Sequence, residues 1–128
     1  MKILTGTDII EIRRIQESIE NLGEKFTREI YTENEIEYCE SKKGAKYQHY
    51  AARFSAKEAI FKAISELLND KYEVTWKNAE IVNDEQGKPH VHFINTEIGE
   101  KIHNIDISIS HCKEYAVVSV VVGIDIPE

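Results

Sequence analysis

The sequence predicts an α+β fold, with helices in the N-terminal half packed on a mainly antiparallel sheet. Two observations lead to it. Apolar residues in the first 68 positions recur at helical spacing, whereas from Glu73 onward they alternate or run continuously, as strands do. Helices gathered early and strands gathered late argue for α+β rather than an alternating α/β order. With 128 residues, 41% of them hydrophobic and 30% charged, the span 1–128 is expected to form a single domain without disulfides or a structural metal.

Taken in order, Lys2 to Asp8 reads as a strand ending near Gly6-Thr7-Asp8. Ile12, Ile15, Ile19 and Leu22 follow helical spacing, with Gly23 as the stop. Thr32-Glu33-Asn34-Glu35 fits a capping box and opens a short helix that fades at Ser41 to Gly44. From Tyr47 to Leu68 the apolar residues Tyr47, Tyr50, Phe54, Phe61 and Leu68 recur on one side, marking the longest helix. Glu73 to Asn83 is expected as a strand, Asp84 to Pro89 as a turn, and Val91 to Ile94 as its hairpin partner. Thr96 to His103 reads as a short helix. Ile105, Ile107 and Ile109 alternate with polar residues, giving a half-buried strand. Tyr115 to Ile124 is Val-rich and continuous, so a strand covered on both faces is expected.

The formal charge of −7 argues against general nucleic-acid binding. That charge is uneven. Residues 1–64 hold 11 basic and 11 acidic residues, leaving 5 and 12 for residues 65–128. Lys42, Lys43, Lys46, Arg53, Lys57 and Lys62 oppose Glu58 alone over residues 42–62, a local excess of five positive charges. Such a segment is either a solvated helix face or the contact for an anionic partner. The chain has no apolar run of membrane-spanning length and no signal-peptide core at its start, so no membrane association is expected. Cys39 and Cys112 form no CxxC pair and read as reduced thiols, which points to a cytoplasmic protein.

Asp8 and Glu58 are the candidate chemical centres. Asp8 either caps the following helix or reaches a crevice from the end of a strand. Glu58 falls between Phe54 and Phe61 on the helical wheel, where a carboxylate is costly to desolvate without a cation. Its partner is either Lys62, four residues on, or a bound metal. Together the two carboxylates offer hard oxygen ligands of the kind magnesium takes alongside waters and substrate phosphates. His111 closes the strand after Ser108-Ile109-Ser110, and could orient a phosphate or relay a proton. Neither an acid partner nor a nucleophile elbow accompanies the Ser/His pair, which argues against hydrolytic triad chemistry.

Four blocks, in order, resemble those of the phosphopantetheinyl transferases of the holo-acyl-carrier-protein synthase group. They are Gly6-Thr7-Asp8 through Arg13-Arg14-Ile15, Arg53-Phe54-Ser55-Ala56-Lys57-Glu58 through Lys62-Ala63, Gly87-Lys88-Pro89, and Ile107 through His111 with Tyr115-Ala116. The resemblance implies that Asp8 and Glu58 hold Mg2+, that Lys62 meets the pyrophosphate of coenzyme A, and that His111 lines the same pocket. It implies that Arg53, Lys46, Lys57 and Ser110 bind the cofactor, with the Gly87-Lys88-Pro89 turn against the adenine. It further implies transfer of phosphopantetheine from coenzyme A to a serine of an acyl carrier protein, and a homotrimer with active sites between subunits. Glu58 or a metal-bound water would accept the proton. Arg13 and Arg14 would dock the acidic carrier, although Glu17, Glu20 and Glu24 stand where relatives often carry basic residues. Competing readings are a non-catalytic coenzyme A or nucleotide-binding module and a structural oligomerisation domain.

Overall fold

The computed structural model describes residues 1–126. Strand β1 (Lys2–Glu11) is followed by helices α1 (Ile12–Leu22), α2 (Glu24–Ile30), α3 (Glu33–Ser41) and α4 (Lys46–Ile64). The hairpin β2 (Ala79–Asn83) and β3 (Pro89–Phe93) comes next, then β4 (Asn104–His111) and β5 (Tyr115–Ile124). The main sheet is antiparallel in the order β1-β5-β4, and β2-β3 forms a separate two-stranded sheet. The α+β expectation is met.

Local chemistry explains the helix boundaries. Gly23, at φ +56°, ends α1 in a conformation that side chains rarely adopt. Thr32 and Glu35 exchange the two hydrogen bonds of a capping box at the start of α3. The turn between β2 and β3 uses Gly87 at φ +86°, and the Asp84 carboxylate accepts from the Gln86 and Lys88 amides.

Helix α4 lies across the inner face of the main sheet because β1 gives it room. A Cβ on Gly6 would overlap the Ala59 carbonyl oxygen and come within 2.9 Å of the Ala63 nitrogen. Ala56, Ala59, Ile60 and Ala63 therefore seat directly on Leu4, Val118, Val120 and Val122, forming the main core. A second group under α1–α3 joins Ile12, Ile15, Ile30, Tyr31, Cys39 and Tyr50.

Five expectations need correction. Strand β1 runs three residues past Asp8 to Glu11, which occupies the N-cap of α1 without a side-chain cap, so Asp8 is not the helix cap. Helix α4 is buried around most of its circumference rather than on one aromatic side, and Leu68 lies beyond it after a 3-10 turn. The strand expected from Glu73 begins at Ala79, because Thr75 and Asn78 cap an intervening 3-10 turn, and the helix expected over 96–103 is a single such turn at Ile98–Lys101. Strand β5 is covered on one face only: Ala116, Val118, Val120 and Val122 face α4, while Tyr115, Val117, Ser119 and Val121 are exposed.

Candidate active site

The alternation of β1 sends Asp8 toward α4, on the face that also carries Leu4 and Gly6. Close seating of the helix on Gly6 then brings its Ser55, Glu58 and Lys62 to Asp8. The Ser55 hydroxyl donates to Asp8 Oδ2 at 2.8 Å. The Lys62 ammonium donates to Asp8 Oδ1 at 3.1 Å and to the Thr7 carbonyl at 3.0 Å. Asp8 and Glu58 line one cavity of about 390 Å³, together with Arg14, Ile15, Phe26 and Phe54. Partial burial pushes the Glu58 carboxyl above its usual range, the Asp8 charge pushes it further, and Lys62 opposes both. The two carboxylates face one space, and the Lys62 ammonium contacts only Asp8, leaving Glu58 without an ion pair among the described residues. Among the described residues no cluster of three His, Cys, Asp or Glu side chains forms a metal site. Two hard oxygen ligands with open space beside them suit magnesium, which keeps waters and substrate phosphates in its remaining positions.

The basic segment divides. Lys57 is fully buried and spent inside the protein: its ammonium pairs with Glu35 at 2.9 Å and donates to the carbonyls of Trp76 and Ala79 at 2.9 and 2.7 Å. It is withdrawn from any cofactor, which corrects the expectation of phosphate binding. Arg53 is also buried; it donates to Asn83 Oδ1 at 2.6 Å and lies 4.1 Å from the Tyr38 ring centroid. Its Nε is the single buried side-chain polar atom without a hydrogen-bond partner among the described residues. The Asn83 amide in turn donates to the Gly87 carbonyl, so Arg53 and the Gly87-Lys88-Pro89 turn are joined. Lys88 pairs with Asp106 at 3.2 Å. Lys46 pairs with Glu40 at 3.4 Å and precedes Glu58 by 12 residues, about 18 Å along the helix.

His111 is not brought to Asp8 within one chain. It sits on β4, with β5 between it and β1, and the register places it about 12 Å from Asp8. Its neighbour is His49 on α4, with ring centroids 6.3 Å apart. Burial lowers the pKa of His49, helped by Arg53 and Lys42. Ser110 points to the opposite, exposed face of β4. Arg13 and Arg14 also diverge. Arg13 is held by Glu17 at 3.0 Å, whereas Arg14 lines the Asp8/Glu58 cavity and forms no ion pair among the described residues.

Sequence reasoning overlooked Ser55, Phe26 and Glu35. The first was discoverable, because Ser55, Glu58 and Lys62 are spaced three and four residues apart on one helix face. Phe26, stacked on Phe54 with centroids 6.3 Å apart, carries no local signal, and Glu35 signals its capping box but not its pairing with Lys57.

A family model described as the 4'-phosphopantetheinyl transferase superfamily matches residues 5–120. The chain belongs to this family. The match spans every residue placed above, from Asp8 to His111. A holo-[acyl-carrier-protein] synthase of Ruminiclostridium cellulolyticum is 44% identical over 97% of this chain and 94% of its own. One from Solibacter usitatus is 44% identical over 87% of this chain and 90% of its own. Among solved structures, a holo-(acyl-carrier-protein) synthase from Bacillus anthracis in complex with CoA (3',5'-ADP) superposes with a TM-score of 0.77. It is 37% identical, with 93% of this chain and 94% of that chain covered.

Proposed function

We propose that this chain is a holo-[acyl-carrier-protein] synthase, transferring the 4'-phosphopantetheine group of coenzyme A to a serine of an apo acyl carrier protein. The observation that carries this reading is the meeting of Asp8 and Glu58 in one cavity, with Lys62 hydrogen-bonded to Asp8, in a chain that belongs to the family. The serine Oγ attacks the β-phosphorus, an Oγ–P bond forms, and the bond to the bridging oxygen breaks. Adenosine 3',5'-bisphosphate leaves with that electron pair. Little covalent work falls to the protein, so positioning and charge stabilisation carry the rate.

Asp8 and Glu58 would hold Mg2+, which supplies positive charge to the pyrophosphate when bound. Ser55 fixes the Asp8 carboxylate. Lys62 leans on Asp8 in the free protein and is placed to neutralise charge on the leaving group. Glu58 is the carboxylate we assign to receive the serine proton. Arg53, with its unpartnered Nε, and the Gly87-Lys88-Pro89 turn take the adenosine end with its extra phosphate. Lys42, Lys43 and Lys46 add charge at that end. Arg14, beside Ile15, Phe26 and Phe54, faces an acidic carrier at the mouth of the cavity.

Span 1–128 acts as one catalytic domain, and its cleft is completed by a homotrimer. Two features support this: the outer sheet face exposes Ile3, Tyr115, Val117 and Val121, and His111 stands too far from Asp8 of its own chain. A neighbour's His111 would then supply the far wall. No helix is long and apolar enough to cross a membrane, and a cytoplasmic location fits the reading.

Incubated with coenzyme A, magnesium and an apo carrier, the protein is expected to add one phosphopantetheine mass to the carrier. Coenzyme A binding without any adduct, across several acidic carriers, would favour a binding module instead. Glu58→Gln keeps the shape and removes the charge, and is expected to lower kcat/KM at least 100-fold. Activity within about tenfold of the parent, roughly 1.4 kcal/mol of barrier, would overturn the metal assignment.

A further inference from the structure

Arg53 and the Gly87 turn, which take the adenosine end of the donor, are joined by one side chain, that of Asn83 at the end of β2. Its Oδ1 accepts from Arg53 Nη2 at 2.6 Å, and its Nδ2 donates to the Gly87 carbonyl at 2.9 Å. These partners fix the amide's orientation, since a guanidinium only donates and a carbonyl only accepts. Arg53 is 2% exposed, and its other contacts are equally neutral: the Ile81 carbonyl at 3.5 Å and the Tyr38 ring at 4.1 Å. The carboxylates on the surrounding elements are committed elsewhere. Glu35 serves Lys57 and the Ile81 amide, and Glu80 accepts from Thr32 at 2.6 Å and Asn34 at 3.4 Å. Asp84, next along the chain, accepts from the Gln86 and Lys88 amides and pairs with His90 at 2.9 Å. Lys42, 4.7 Å over the Tyr38 ring, adds a second positive charge.

We infer that Asn83 is a positioning residue: it presents Arg53 beside the Gly87 turn as an unneutralised cation, and thereby sets the preference for a donor that carries the 3'-phosphate. The inference rests on the transferase reading and names what makes its Arg53 subsite selective. A buried guanidinium with only neutral partners carries a desolvation cost that an aspartate in place of Asn83 would offset. The amide instead leaves the charge uncompensated and Nε without a partner, which suits a phosphate monoester arriving from outside. Asn83 lies outside the Asp8/Glu58 cavity and touches no reacting atom. Its effect passes through Arg53, which would meet the phosphate, and through the turn, which would meet the adenine.

The test is the ratio of affinities for coenzyme A and 3'-dephospho-coenzyme A, measured by calorimetry with magnesium and no carrier. The parent is expected to bind coenzyme A about tenfold tighter or more, the scale of a hydrogen bond to a charged group. Asn83→Asp, of the same shape, neutralises Arg53 and is expected to bring the ratio within about threefold of one. Asn83→Ala releases Arg53 without neutralising it and should give an intermediate ratio. Each protein is its own reference, so a general loss of fold or affinity leaves the ratio unmoved. In transfer assays the same variants are expected to raise KM for coenzyme A far more than they lower kcat. A ratio in Asn83→Asp equal to that of the parent overturns the inference and leaves the transferase reading standing. A parent that binds both donors alike overturns the Arg53 subsite with it. The expected ratios with no carrier modified by either donor support the role of Asn83 and overturn the transferase reading instead.

Discussion

Lys57 and Lys62 lie five residues apart on one helix and have opposite roles. Lys57 has no exposed side-chain surface, two carbonyl partners and a carboxylate, Glu35, as deeply buried as itself. Burial pulls its pKa below the usual range, and Glu35 opposes that shift. Lys62 is about half exposed and leans on a single carboxylate that a metal would claim. The same residue type is a structural tie where its partners are fixed inside the protein, and a half-exposed charge open to a ligand where its carboxylate partner lines a cavity. Glu35 explains the difference. Its two oxygens accept from Thr32 and Ile81 amides and from Lys57, so one carboxylate joins α3, the hairpin and α4.

The largest effect should come from breaking the tie. Lys57→Met keeps the volume but leaves Glu35 charged and unpaired in the interior, a cost of about 3–5 kcal/mol. Urea unfolding would register this as a lower midpoint at unchanged slope; a loss below about 1 kcal/mol would mean that Lys57 is not the tie described here. Lys62→Met sharpens the contrast. Stability is expected to stay within about 0.5 kcal/mol, as for most exposed positions. Transfer should fall about 100-fold, near 2.7 kcal/mol of barrier, and a matching loss of stability would erase the distinction between the two lysines. The smallest effect separates the two arginines of α1. Arg14→Ala should raise KM for the carrier several-fold with a weaker salt dependence, while Arg13→Ala, already neutralised by Glu17, should change it less than twofold.

Much of the site was legible before any coordinates. Glu58 stood out because a carboxylate beside aromatic residues needs a cation, Asp8 because it was expected at the end of a strand, and Lys62 because it is one turn from Glu58 on the same face. The pairing of Arg53 with the Gly87 turn was implied only by resemblance, and the Asn83 bridge now joins them. Lys57 was misread because sequence shows its charge without showing its partner: Glu35 is 22 positions earlier and on another helix. His111 was grouped with Asp8 although a strand intervenes, since strand order is not written in local periodicity. Tyr115 to Ile124 was expected to be covered on both faces, but continuous valine occurs equally on a face left bare for another surface.

By itself the sequence determined three of the four helices of the first half, with α2 unforeseen, together with the capping box at Thr32, the Gly87 turn and the two candidate carboxylates. These depend on residues within a few positions of one another, where spacing and side-chain chemistry suffice. Only the tertiary structure decided which charges remain available. The helix seats on Gly6 and not elsewhere, so Asp8 meets Ser55, Glu58 and Lys62, while Lys57, rotated to the opposite face, is drawn into the core. Desolvation and pairing are properties of the assembled surroundings, and no window along the chain contains them.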